Sequence, residues 1–273
     1  MKCYDIVTKI QDYTDLIWSE KSVSSNTSGC FLKAKKPGSD GIMRYFKLSN
    51  YDSYRGIFGY ECVYELIASR LLNILGVDHL QYKLVHANVK IDGKIYETHL
   101  CESKDFKQDD ERKIALDIYY DLERQNGETP LQLCDRSGWH NQIRKMMLAD
   151  FLMINRDRHG ANIEVLISKN SVRLAPLFDN GLSFFAPYCG AEDKIKNFNP
   201  MEDMPVNNYL GTRSLFENLN FVDSDLTDEI LDFYKEDFLG GLEGILSEEH
   251  LEKVWEVVWK RWNYYESIRN QRR

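Results

Sequence analysis

The spacing of apolar residues divides the first hundred positions into strands around one helix. Residues 30–35 (CFLKAK) alternate, a turn follows over Pro37, Gly38, Ser39, Asp40 and Gly41, and residues 43–48 (MRYFKL) resume the alternation, which predicts a hairpin. Residues 59–75 place Val63, Leu66, Ile67, Leu71, Ile74 and Leu75 at helical spacing, and Gly76 stops the run. Strand patterns return over 80–87, 88–91 and 94–101, the last two joined by Asp92-Gly93, the strongest short hairpin signal. The expectation is a small antiparallel sheet with one helix.

Beyond Asp105 the texture changes. Residues 141–154 carry Ile143, Met146, Met147, Phe151 and Ile154 on one helical face and run directly into a polar stretch, 155–162. Short strand patterns follow at 163–168 and 172–174, and then the run LAPLFDNGLSFF. From 224 onward the pattern is helical, with Leu226, Ile230, Phe233 and Tyr234 on one face and Leu251, Val254, Trp255, Val258, Trp262 and Tyr265 on another. Such aromatic stripes predict core faces rather than cofactor sites. The expected division is a sheet-rich part, 1–105, and a mostly helical part, 106–273.

Composition narrows the classes. Hydrophobic residues make up 43% and charged residues 29%, an ordinary globular balance, and no uncharged run approaches membrane-spanning length. The acidic start is not that of a signal peptide. The six cysteines at 3, 30, 62, 101, 134 and 189 contain no CxxC, which predicts reduced thiols and a cytoplasmic setting. Net charge is -8, with 14 basic against 13 acidic residues up to 105 and 21 against 30 thereafter, so direct nucleic-acid binding is not expected.

The polar stretch reads Asn155-Arg156-Asp157-Arg158-His159-Gly160-Ala161-Asn162. Phosphoryl transfer needs an aspartate to accept the proton of the attacking hydroxyl and an asparagine a few residues on to help hold Mg2+, and Asp157 and Asn162 have the D-x-x-x-x-N spacing. Three other pairs share that spacing: Asp121/Asn126, Asp150/Asn155 and Asp203/Asn208. Only Asp157/Asn162 follows a buried helix, precedes a pair of strands, and is followed by Leu177-Phe178-Asp179-Asn180-Gly181, which offers a second metal-binding acid and a glycine. Upstream, Lys47 lies on a predicted strand before a helix whose Glu61 and Glu65, one turn apart, could either face it. Residues 22–29 (SVSSNTSG) form a small-residue loop able to present backbone N–H groups to phosphates, without a Walker lysine.

The blocks ADFLMINRDRHGANIEVLI and RLAPLFDNGLSFF resemble the catalytic core of HipA-like serine/threonine kinases. The resemblance implies an α+β, two-lobed protein-kinase-like fold, with the sheet lobe over 1–105 and the helical lobe over 106–273. It implies ATP and Mg2+ as cofactors, Asp157 as base, His159 as its support, and Asn162 and Asp179 as metal ligands. YFKLS resembles the ATP-lysine strand at Lys47, ECVYELIASRLLNILG the helix beginning at Glu61, which the resemblance favours over Glu65 as the lysine's partner, and HLCESKDF the adenine hinge near Cys101, Glu102 and Ser103. Ser28 falls in the phosphate loop, where the family resemblance implies autophosphorylation of one of Ser22, Ser24, Ser25, Thr27 and Ser28. The chain looks like a compact form lacking the family's extra N-terminal domain, and Arg158 stands where glycine is common, which is expected to alter substrate access. The implied partners are a protein substrate with a Ser/Thr acceptor and, in addition, a cognate antitoxin.

Two other classes share these residues: a small-molecule or lipid kinase of the same fold, and a nucleotide-binding module without catalysis. Absence of a polybasic patch disfavours a membrane lipid substrate, and intact acidic positions disfavour a silent module. A metallohydrolase is disfavoured too, because the six histidines at 79, 86, 99, 140, 159 and 250 contain no H-x-x-x-H.

Overall fold

A computed structural model describes residues 5–19, 31–230 and 233–273. The sheet-rich part comprises β1 (Ile6–Tyr13), β2 (Phe31–Pro37), β3 (Met43–Asp52), β4 (Gly56–Phe58), α1 (Glu61–Ile74), β5 (Tyr82–Ile91) and β6 (Lys94–Lys104). The order across the sheet is β1-β5-β6-β3-β2, with β4 added to the end of β3. Both predicted hairpins form: Lys47 of β3 sits opposite Lys33 of β2, and β5 turns into β6 through Asp92 (φ 49°) and Gly93 (φ 81°). The positive φ at both turn positions matches the twist of the flanking strands. The sheet is not wholly antiparallel, because β1 pairs parallel with β5 and is interrupted by an irregularity between Val7 and Gln11.

The remainder contains β7 (Arg112–Ala115), α2 (Leu116–Glu123), α3 (Pro130–Arg136), α4 (His140–Met153), β8 (Asp157–Arg158), β9 (Glu164–Ile167), β10 (Val172–Leu174), α5 (Glu192–Lys196), β11 (Asn207–Asn208), α6 (Leu215–Asn218), α7 (Lys235–Leu239) and α8 (Glu248–Arg272). Strands β10, β9 and β7 make a small antiparallel sheet, and β11 pairs parallel with β8. The helix expected over residues 224–230 is absent. There Leu226, Asp228 and Ile230 donate to the carbonyls of Asp223, Asp225 and Thr227, a succession of turns. Asp, Ser and Thr side chains compete for the helical backbone groups in VDSDLTD. Tyr234, expected on that helix's apolar face, is largely exposed, at 66%.

Two cores form on the faces of the large sheet. One, built on Leu32, Phe46, Leu48, Val85, Val89 and Leu100, fills the face away from α1. The other is continuous from α1 through α4 to α8 and includes Leu66, Leu71, Phe151, Phe184, Leu251 and Val258. Helix α1 thereby packs against the helical part as well as against the sheet. No helix of the described residues is long and apolar enough to cross a membrane.

His250, in the first turn of α8, joins these layers. Its Nε2 lies 2.8 Å from the Tyr64 hydroxyl of α1, and its ring meets those of Tyr60 and Phe185 edge-on. Burial lowers its pKa to about 4. Because the unfolded chain takes up this proton near the ordinary value of 6.5 and the folded one only near 4, stability should fall as pH drops through that window, by up to roughly 3 kcal/mol. Urea midpoints measured from pH 7 to pH 4 should therefore fall less steeply in His250→Phe than in the parent; equal slopes would contradict the assignment.

Candidate functional site

A buried lysine needs counter-charges, and Lys47 has two. Its Nζ lies 2.7 Å from Glu65 Oε1 and 2.5 Å from Asp179 Oδ1. Burial disfavours its charge, but the two carboxylates outweigh that and raise its pKa well above the usual lysine value. Asp179 responds in the opposite sense: burial alone would raise it, while Lys47, Lys33 and Arg158 hold it well below the ordinary carboxylate range. Both groups are therefore charged at neutral pH.

Glu65 is fully buried, and its second oxygen accepts the Asn180 N–H at 2.9 Å. One carboxylate thus ties β3 to the segment following Asp179. This corrects the expectation that Glu61 is the lysine's partner. Glu61 begins α1 and turns toward Asn50, and its Oε2 is buried with no hydrogen-bond partner among the described residues. Burial raises its pKa. The missed signal was the position of Glu65 in the apolar run Val63-Tyr64-Glu65-Leu66-Ile67: a mid-helix carboxylate so surrounded needs a buried cation.

The Asp179-Asn180-Gly181 turn also differs in detail from expectation. The left-handed residue is Asp179 itself, at φ 59°. Gly181 sits in a tight space, since a Cβ there would lie 3.1 Å from the Glu61 carbonyl oxygen and 3.3 Å from Glu65 Oε1. Strain in a non-glycine left-handed residue persists where surrounding contacts over-determine it, as the Lys47 and Glu65 bonds do here.

Asp157 sits at the other end of the arrangement, on β8 directly after α4. Its Oδ1 accepts from Asn207 Nδ2 at 3.1 Å, and its Oδ2 lies 3.7 Å from His159 Nε2. Asn162 Nδ2 donates to the Asp157 carbonyl at 2.7 Å, which leaves the amide oxygen as the Asn162 atom suited to a cation. Asn207, on β11, was not singled out by sequence, since its place beside Asp157 depends on a pairing fifty residues away.

Arg158 explains why this loop has one shape. It is 1% exposed, so its expected influence on substrate access is corrected: it points into the protein. Its guanidinium grips Asp150 of α4 through two bonds of 2.8 and 3.0 Å, and donates to the Phe178 carbonyl at 3.2 Å and to Asn180 Oδ1 at 2.6 Å. Asp150 also accepts from Asn155, at both N–H and Nδ2 through its backbone and side-chain oxygens. One buried pair thereby locks the Asp157 loop to the Asp179 turn.

Between sheet and helical part lies a cavity of about 280 Å³, lined by Lys33, Lys47, Tyr82, Ser103, Phe106 and Asp179 among others. The rings of Phe106 and Phe178 stack at 6.4 Å along its floor. Ser103 faces this cavity, but Glu102 does not. Its side chain accepts from Tyr13 at 3.3 Å and lies 3.5 Å from Arg44, and its backbone is flanked by Phe46 and Lys83 in neighbouring strands. The chain leaves the sheet after Lys104. Ser28, with Ser22, Ser24, Ser25 and Thr27, lies outside the described residues.

Asp179 and the amide oxygen of Asn162 are hard oxygen donors of the kind Mg2+ takes. Among the described residues no group of three or more His, Cys, Asp or Glu could cage a metal ion. Donors of this kind suit a cation that arrives with phosphate oxygens and water to complete its shell.

No protein-family model matches the chain. No curated protein matches it in sequence. Among solved structures, the proinflammatory kinase CtkA of Helicobacter pylori superposes with a TM-score of 0.63 at 16% identity, over 96% of this chain and 98% of that one. HipA of Shewanella oneidensis, in a complex with HipB and operator DNA, gives 0.49 at 13% identity, over 92% of this chain and 66% of that one. The Golgi casein kinase gives 0.45 at 11% identity, over 86% and 70%. The CtkA match, which spans both chains nearly end to end, establishes a kinase-like α+β fold.

Proposed function

We propose that the chain is an ATP- and Mg2+-dependent kinase acting on Ser/Thr hydroxyls of protein substrates, with residues 1–105 and 106–273 as its two lobes and the cavity between them as the nucleotide site. The observation that carries this reading is the Glu65 bridge, which holds a charged Lys47 and the Asp179 turn together at the cavity. In this role Lys47 binds the α and β phosphates of the nucleotide, and Glu65 keeps its ammonium aimed at them. Asp179 and Asn162 hold Mg2+, which when bound neutralises charge developing on the transferred phosphoryl group. Asp157 accepts the hydroxyl proton at its carboxylate, oriented by Asn207 and His159. Adenine packs near Phe106 and meets the backbone at residues 104–106, past Glu102, while Ser103 contributes its side chain.

Two expected results follow for the nucleotide end. Glu65→Ala should lower activity much more than Glu61→Ala, because only the former releases Lys47; the reverse order in a steady-state assay would overturn the assignment. Asp179→Ala should weaken nucleotide binding in the presence of Mg2+ far more than in EDTA, and equal losses in calorimetry under both conditions would contradict the metal role.

The acceptor class is tested by offering γ-labelled ATP with protein, lipid vesicle and small-molecule hydroxyl acceptors in parallel. Label on Ser/Thr of protein supports the proposal; label only on lipid or small molecules replaces the substrate class, and nucleotide binding with no transfer replaces the kinase reading.

A further inference from the structure

Two arginines flank Asp157, and the structure treats them oppositely. Arg158 is buried and neutralised by Asp150. Arg156 is half-buried and has no carboxylate within ion-pair distance among the described residues. What it touches is neutral: its guanidinium lies over the Tyr188 ring at 5.4 Å, and Nη2 rests 3.1 Å from the Met204 thioether sulfur. Its Nε is buried without a hydrogen-bond partner among the described residues.

A second cation lies close by. Arg261 is fully buried and gives its donors to the carbonyls of Pro200, Phe151 and Glu202. Burial, with Arg156 adding to it and Asp203 opposing, lowers its pKa to about 10. Asp203 is the nearby acid, and its carboxylate is bonded to the Ser214 hydroxyl. The exposed Glu202 neighbours it in sequence, and neither acid forms an ion pair with Arg156. An arginine held by a ring face and a sulfur gives up little when it turns to an anion, whereas a guanidinium–carboxylate or guanidinium–phosphate contact is among the strongest hydrogen bonds available.

The position of Arg156 relative to the reacting end is fixed. Asn207 N–H donates to the Arg156 carbonyl at 2.9 Å while Asn207 Nδ2 donates to Asp157 Oδ1, so one residue of β11 holds the Arg156 backbone and the Asp157 side chain together. Arg156 is the chain neighbour of Asp157, and an extended substrate advances about 3.3 Å per residue, so an anion within reach of the Arg156 side chain lies a few residues at most from a hydroxyl bound at Asp157.

We propose that Arg156 is a specificity-determining residue for the acceptor: it receives an anionic side chain, carboxylate or phosphate, that flanks the acceptor Ser/Thr in the substrate polypeptide. The inference rests on the kinase reading above and extends it to the substrate class. The anion displaces the guanidinium from Met204, leaving Tyr188 as its stacking platform.

The test uses the whole protein with Mg-ATP and a set of peptides, each with one serine in an Ala/Gly background, and with Asp, phosphoserine, Asn or Lys at each of the two positions on either side. The expected result is a kcat/KM about 10-fold higher for the best Asp or phosphoserine peptide than for its Asn counterpart, the factor set by roughly 1.4 kcal/mol of charge-assisted bonding. That ratio should fall to near one in Arg156→Gln and survive in part in Arg156→Lys, with thermal melting of both variants confirming that they fold. A preference for phosphoserine alone identifies phosphate as the anion, and a preference for both identifies charge. Transfer with no preference between Asp and Asn, or a preference that persists in Arg156→Gln, overturns this inference and leaves the kinase reading intact. No transfer to any peptide, with no phosphate on the protein itself, overturns both.

Discussion

Asp157→Asn should leave nucleotide binding largely unchanged and reduce phosphoryl transfer by about 100-fold or more, the scale on which a positioned general base contributes. The substitution is nearly isosteric, and the neighbouring contacts do not require the charge. Asn207 can still donate to the amide oxygen, and the Asp157 carbonyl still accepts from Asn162. What is lost is the capacity to take up a proton. Single-turnover transfer and calorimetric ATP binding, measured on the same preparation, separate the two effects. Transfer at the parental rate would remove Asp157 from the chemistry.

Arg158→Ala is expected to have the largest effect on stability. Its pair with Asp150 has side chains 1% and 0% exposed, and removing one partner leaves an uncompensated buried charge. Such losses run to about 3–5 kcal/mol. The same change frees the Phe178 carbonyl and Asn180 Oδ1, so the Asp179 turn should loosen as well. Urea unfolding measures the first consequence. A double replacement, Arg158→Met with Asp150→Leu, should recover much of the stability, because a well-packed apolar pair leaves no orphaned charge. Loss of less than about 1 kcal/mol in Arg158→Ala would mean the pair is not what holds the loop.

The elements most readable from the sequence were those whose signals are local. The Asp92-Gly93 hairpin, helix α1 and helix α4 with the polar loop after it all follow from turn chemistry and period within about twenty residues. Strand β1 gave no such signal: half of its residues are exposed, and its pairing is parallel to a strand nearly eighty positions away. The turns at 224–230 show the converse failure, a helical spacing of Leu226 and Ile230 defeated by Asp223, Ser224 and Asp225 before them and Thr227 and Asp228 between them.

For the candidate site, Lys47, Asp157, Asn162 and Asp179 could be singled out because each lies in a distinctive local context, and the structure joins Lys47 to Asp179 and Asn162 to Asp157. The choice of Glu65 over Glu61 was not settled by spacing, since both lie on α1 one turn apart and both are buried. It is decided by where the Asp179 turn docks, because Glu65 meets Lys47 and the Asn180 N–H together. Arg158 was misread because residue type at one position says nothing of direction: in a two-residue strand, successive side chains face opposite ways, and Asp157 took the outward one.

The central claim is that this cleft moves a phosphoryl group from Mg-ATP to a hydroxyl. The most direct measurement is intact-mass spectrometry of the purified protein with an added protein acceptor mixture, after incubation with Mg-ATP, alongside Asp157→Asn treated identically. Mass increases by whole phosphates on Ser/Thr are expected, absent in EDTA and strongly reduced in Asp157→Asn. No phosphate on any protein with the parent enzyme saturated with Mg-ATP, or equal phosphate with Asp157→Asn, would contradict it.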